Sequence, residues 1–90
     1  MNTGKKIRFI INPKSGTSAK KDLPELIRNR MIGTTADYDL HFTERPLHAR
    51  ELSEQAKVAG FDIVAVAGGD GTVNEAASAL LHSTTSLAIL

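Results

Sequence analysis

Apolar positions along the chain follow two periods, and the periods alternate. Residues 6–12, KIRFIIN, form a short run rich in β-branched side chains that Pro13 stops, which predicts a buried strand. PKSGTSAKK, residues 13–21, is loop chemistry. In DLPELIRNRM, Asp22 is expected as an N-cap, with Pro24 in the first turn and Glu25 three residues after the cap. Leu23, Leu26, Ile27 and Arg30 or Met31 follow at helical spacing, and Gly33 ends that helix. Residues 37–43, DYDLHFT, alternate, with Tyr38, Leu40 and Phe42 on one face of a second strand.

The same alternation continues to the end. Pro46 sits where a first helical residue would, and Ala49, Leu52, Ala56 and Ala59 form the inner stripe of that helix. Gly60 is its expected C-terminal cap. DIVAVAG, residues 62–68, is almost continuously apolar, as a strand covered on both faces should be. GDGTVNEAASALLHS then places Val73, Ala76, Ala77, Leu80 and Leu81 on a buried helical face, and SLAIL, residues 86–90, is a fourth strand. The order β-α-β-α-β-α-β predicts a three-layer α/β/α, Rossmann-like parallel sheet with right-handed crossovers.

Composition removes several function classes. Ninety residues hold one small domain, and a hydrophobic fraction of 41% is ordinary for a globular fold. A net charge of +1 gives no pull toward nucleic acid. The absence of cysteine excludes disulfides and thiolate metal sites and agrees with a reducing cytosol. No run approaches the roughly 20 apolar residues that span a bilayer, so membrane contact is expected to be peripheral.

Three loops leave the carboxyl ends of the first three strands, the edge where parallel sheets bind ligands. The first, NPKSGTS, offers Asn12 and Ser15 as hydrogen-bonding side chains and a nest of N–H groups suited to phosphate, or else is a plain Pro-Gly turn. In the second, FTERPLHA, Thr43 either meets a nucleotide or merely leads into the helix, and His48 is expected to pack or cap. In the third, VAGGDGTVNEAAS, Gly68 and Gly69 lack Cβ atoms where a ligand would approach the backbone. Gly71 and Thr72 open a helix whose N–H groups and dipole favour anions, with Asn74 and Glu75 in its first turn. Asp70 would repel a polyphosphate. It therefore either holds Mg²⁺ that bridges to the phosphates or caps the helix through the Thr72 or Val73 N–H.

NPKSG after the first strand, Thr43 after the second, His48-Ala49, and GGDGTVNE after the third together resemble the diacylglycerol kinase catalytic domain of bacterial lipid kinases and sphingosine kinases. The resemblance implies ATP with Mg²⁺ and transfer of phosphate to a lipid hydroxyl. It places Asn12, Ser15, Thr43, Gly68, Gly69, Asp70, Gly71, Thr72 and Asn74 around the nucleotide, with Glu75 supporting that loop by hydrogen bonding or by orienting Asp70. Members of that family continue to a Gly-Thr-Asn-Asp type loop and a mostly β domain that supplies the acceptor-lipid pocket and the general base. The chain is therefore expected to be the N-terminal part of a longer kinase, truncated after the fourth strand and inactive alone. A cytoplasmic location, peripheral to the membrane, and self-association through an open sheet edge are the accompanying expectations. Two other readings compete. An NAD kinase-like enzyme would keep GGDG, and a non-enzymatic receiver-type module would need an acidic pair after the first strand, where Asn12-Pro13 stands.

Overall fold

The computed structural model describes residues 4–14 and 22–90. Seven elements alternate as the periodicity predicts: β1 (Lys6–Ile11), α1 (Leu23–Met31), β2 (Asp37–Phe42), α2 (His48–Val58), β3 (Ile63–Ala67), α3 (Asp70–Leu80) and β4 (Ser86–Ile89). The strands form one parallel sheet in the order β2-β1-β3-β4.

Strand alternation divides the core into two layers. Ile10, Val64 and Val66 pack with Ala49, Leu52 and Ala56 of α2 and Ala76 and Leu80 of α3. Phe9, Ile11, Ala65 and Ala67 face the other way, toward Ile27 of α1. Ile10, Ile11, Val64 and Val66 are fully buried, each worth about 1.5–3 kcal/mol of removed apolar surface. β1 and β3 are thus covered on both faces, as their nearly unbroken apolar runs require.

This arrangement creates a switch point. From β1 the chain crosses through α1 to β2 on one side. From β3 it crosses through α3, on the opposite face, to β4 on the other side. The crevice beyond the carboxyl ends of β1 and β3 is left open between the departing chains. Register holds the crevice level, because Ile11 pairs with both Phe42 and Ala67. The ladder runs one step further, with Asn12 N–H donating to Ala67 O and Thr43 N–H to Ile11 O, each at 2.9 Å.

Several boundaries differ from the periodicity. Asp22 precedes α1 but makes no side-chain cap hydrogen bond. Helix α2 starts at His48, not Pro46, because Leu47 adopts a left-handed conformation at φ 67° and breaks the first turn. Ala59 lies past α2 and is exposed, while Ser53 is fully buried in the inner stripe. In α3, Ala79 is buried where Leu81 was expected, since the helix ends at Leu80 and Leu81 turns outward, 65% exposed. Phe42 is also exposed, because β2 is an edge strand that α1 reaches only as far as Leu40. Gly60 does cap α2. At φ 81° it lets its own N–H reach Lys57 O and the Phe61 N–H reach Ala56 O, a Schellman pair.

One polar network crosses the α2 face. The nearly buried Arg8 guanidinium grips Asp39 twice, at 3.1 and 3.0 Å, donates to Leu52 O at 3.0 Å and lies 4.6 Å from the Phe61 ring centre. Burial alone would raise the Asp39 carboxyl, but the Arg8 hydrogen bonds and charge, with nearby His41, hold it below its ordinary 3.8. Asp39 is 38% exposed, so solvent screening limits its worth. Asp39→Asn should cost about 1–2 kcal/mol at neutral pH, chiefly by leaving Arg8 underpaired. A depressed folded-state pKa stabilises fully above the unfolded value and is lost as pH falls through the folded one. The gap between wild type and variant in urea melts should therefore close as the pH drops below 3.8.

Candidate functional site

At the switch point lies a cleft of about 340 Å³ lined by Asn12, Lys14, Thr43, Glu44, Arg45, Pro46, Ala49, Thr72 and Glu75. All three expected loops contribute. Asn12 and Lys14 come from the β1 loop, Thr43 to Pro46 from the β2 loop, and Thr72 and Glu75 from α3.

The Asn12 side chain ties two of these walls together. Its Oδ1 accepts the Lys14 N–H at 3.0 Å, a local turn that fixes the start of the first loop. Its Nδ2 donates to Thr72 Oγ1 at 3.1 Å, across to α3. Thr72 is buried in this position. A Cβ on Gly68 would lie 2.8 Å from both Thr72 Cβ and Oγ1. The missing Cβ at Gly68 thus makes room for Thr72. Gly71 is the opposite case, exposed and with open space where its Cβ would stand.

Helix α3 begins at Asp70 with Gly69 as its cap, in extended backbone. Gly69, having no side chain, supplies no side-chain cap to this terminus. The expectation that Asp70 might cap it through Thr72 or Val73 is therefore corrected: Asp70 is itself the first helical residue, and the Val73 N–H is taken by Gly69 O at 3.1 Å. The Asp70 carboxylate is exposed and engages no other group among the described residues. Gly69, Asp70, Gly71 and Asn74 line the exposed end of α3 beside the cleft rather than its wall. Ser15 lies outside the described residues.

The second loop is held by contacts the sequence did not announce. The Glu44 N–H donates to His48 Nδ1 at 2.9 Å, so that histidine ties down the loop before α2 rather than capping the helix. Arg45 Nη2 meets Glu51 Oε2 at 2.6 Å, and that hydrogen bond, then the Arg45 charge, depresses the Glu51 pKa. Glu75, from the second turn of α3, accepts the Leu47 N–H at 3.2 Å and the Arg50 N–H at 3.4 Å. It thus supports the loop after β2, and Asp70 is not among its partners.

Lys14 and Arg45 were not singled out from the sequence, although both stand in loops leaving the same sheet edge. Two cations on that edge were the available signal. They share the cleft wall with the carboxylates of Glu44 and Glu75, and Arg45 is paired with Glu51. Leu47 bears the local strain, since a non-glycine residue in the left-handed region costs about 1–2 kcal/mol. It is 59% exposed and little is lost with its side chain. Leu47→Gly should raise stability by up to about 1 kcal/mol, whereas Leu47→Val should lower it. Thermal melts of the two variants check the order.

Comparison with known proteins places this geometry. The family described as the diacylglycerol kinase catalytic domain matches residues 6–90. A protein of Streptococcus pneumoniae serotype 4 named as a lipid kinase is 38% identical over 76 residues, which are 84% of this chain and 26% of that protein. Sphingosine kinase B of Dictyostelium discoideum is 29% identical over 77 residues, 86% of this chain and 10% of that one. The crystal structure of a diacylglycerol kinase from Bacillus anthracis str. Sterne superposes with a TM-score of 0.79 at 26% identity, covering 99% of this chain and 33% of that one. The chain thus spans about a quarter or less of the length of these two sequence relatives.

Proposed function

Because the chain belongs to the diacylglycerol kinase catalytic domain family, we propose that it is the N-terminal, ATP-binding part of a lipid kinase. That kinase would pass the γ-phosphoryl group of ATP to a lipid hydroxyl. The observation that carries this reading is the cleft itself, where Asn12, Lys14, Thr43 and Arg45 meet Thr72 of α3 beside that helix's first turn. Phosphoryl transfer asks a protein mainly for positioning and charge neutralisation. The backbone N–H groups at Gly71 and Thr72 would receive phosphate oxygens. Lys14 would offset charge from the opposite wall, joined by Arg45 once it leaves Glu51. Gly71 would leave the room that a phosphate against the helix end requires.

Among the described residues no group of three or more His, Asp or Glu gathers to hold a metal. A single exposed carboxylate, Asp70, nonetheless fits Mg²⁺, which commonly takes one or two carboxylates and completes its shell with phosphates and water. Asp70 would hold the ion, whose contribution when bound is to neutralise phosphate oxygens.

In this reading the partners are ATP, a lipid acceptor and the cytoplasmic membrane surface where that lipid resides, with the lipid pocket and general base outside this chain. The open edge of β4 also offers pairing to a second copy. Among the described residues no helix is long and apolar enough to cross a membrane. One wall of a cleft alone should bind nucleotide weakly, with a Kd on the order of 1 mM, about −4 kcal/mol. Titrating the chain with Mg-ATP should shift the amide NMR signals of Asn12, Thr43 and Gly71 saturably. Shifts scattered over the surface, or none, would overturn the reading. In the intact kinase, a screen of diacylglycerol against NAD as acceptor separates it from an NAD kinase-like activity.

A further inference from the structure

Helix α2 opens onto the same cleft as α3, yet its own sequence supplies no cap. Its N-cap residue is Leu47, with no side-chain cap hydrogen bond. In a capping box, two residues of one helix satisfy the N-cap N–H and the N3 N–H reciprocally. Here one carboxylate from another helix does both. Glu75 accepts the N-cap N–H of Leu47 at 3.2 Å and, through its other oxygen, the N3 N–H of Arg50 at 3.4 Å.

We infer that Glu75 is a positioning residue for the nucleotide site, capping α2 from α3 and thereby fixing the loop that carries Thr43 and Arg45. This rests on the nucleotide-binding reading above. Three observations converge on it. Glu75 lines the cleft, but its two oxygens are turned to backbone N–H groups of the facing loop. The residue it holds, Leu47, is in the left-handed region and would relax without an external anchor. The helix that carries Glu75 also carries Thr72, which is bonded to Asn12 of the first loop. One rigid helix therefore sets the spacing of all three loops around the ligand.

The charge has a second consequence. The N-termini of α2 and α3 both open near the cleft, and both favour anions. Glu75 fills the α2 terminus with an internal anion, so an entering phosphate is directed to α3.

The test compares Glu75→Ala and Glu75→Gln with Thr85→Val in this chain. Thr85 Oγ1 donates to Phe61 O at 2.7 Å in a buried contact where β4 begins, at the end of the sheet away from the cleft. Thr85→Val therefore serves as a destabilised comparator. Glu75→Ala should speed hydrogen exchange of the Leu47 and Arg50 amides about tenfold and weaken Mg-ATP about tenfold, the equivalent of losing one good cap. Glu75→Gln keeps one acceptor oxygen and should recover part of both. Thr85→Val should lower the melting temperature and leave nucleotide affinity unchanged. Equal losses of affinity in Glu75→Ala and Thr85→Val would overturn the inference, as would unchanged exchange at Leu47 and Arg50. Should the wild-type chain bind no Mg-ATP, the nucleotide reading fails, while the exchange rates still decide whether Glu75 caps α2.

Discussion

Gly68→Val should destabilise the domain by about 3 kcal/mol, the upper range for forcing atoms into a packed site. The added Cβ would stand 2.8 Å from Thr72 Cβ and Oγ1 and 3.0 Å from Cγ2. Thr72 cannot swing aside cheaply. It is buried, it sits on α3 beside the fully buried Ala76, and its hydroxyl holds Asn12. Relief therefore requires α3 to move off β3, which opens the core beneath it. Urea unfolding of the chain measures the loss. Gly71→Ala is the control that separates packing from ligand space. Among the described residues nothing outside its own helix backbone and chain neighbours lies within 4 Å of its would-be Cβ, and alanine is the better helix former by about 1 kcal/mol. It should leave the fold intact or firmer while impairing Mg-ATP binding. Equal stability losses at the two glycines would refute the division of labour between them.

The larger effect on activity is expected at Asp70. In the intact protein, on the lipid kinase reading proposed above, Asp70→Asn should lower kcat by about 10²–10³, the scale of removing one electrostatic stabiliser from a transition state. Stability should change by less than about 1 kcal/mol, because Asp70 is exposed and among the described residues serves only as a charge at the positive end of α3. The variant keeps size and helix position and removes only the negative charge. Initial rates over a range of Mg²⁺ concentration, set beside a thermal melt, distinguish the two quantities. An unchanged kcat with unchanged Mg²⁺ dependence would remove Asp70 from the site.

Much of this was legible in the chain, for a local reason. The apolar run at Ile63–Ala67 and the β-branched run at Lys6–Ile11 mark strands buried on both faces, because their neighbours on either side are equally apolar. Gly60 marked the end of α2, because a left-handed cap favours a residue without Cβ. Errors fell where a distant contact overruled the local pattern. Pro46 looked like a first helical residue until Leu47, anchored by Glu75 from 28 residues away, broke the turn. The packing need at Gly68 was hidden in the same way, because Thr72 lies four residues ahead and only the packed angle between β3 and α3 brings them together.

By itself, then, the sequence determined the order of elements, their parallel pairing and the sheet edge from which the three loops leave. Those follow from periodicity and from crossover lengths, which are properties of neighbouring residues. Tertiary structure alone decided the strand order and the switch point between β1 and β3, the joining of Asn12 to Thr72 across 60 residues, and the capping of α2 by Glu75. These are pairings between groups that each segment leaves unsatisfied. A hydroxyl, an amide N–H or a carboxylate can find partners of many kinds. Which one it takes is settled only when packing of the apolar faces has fixed the distances.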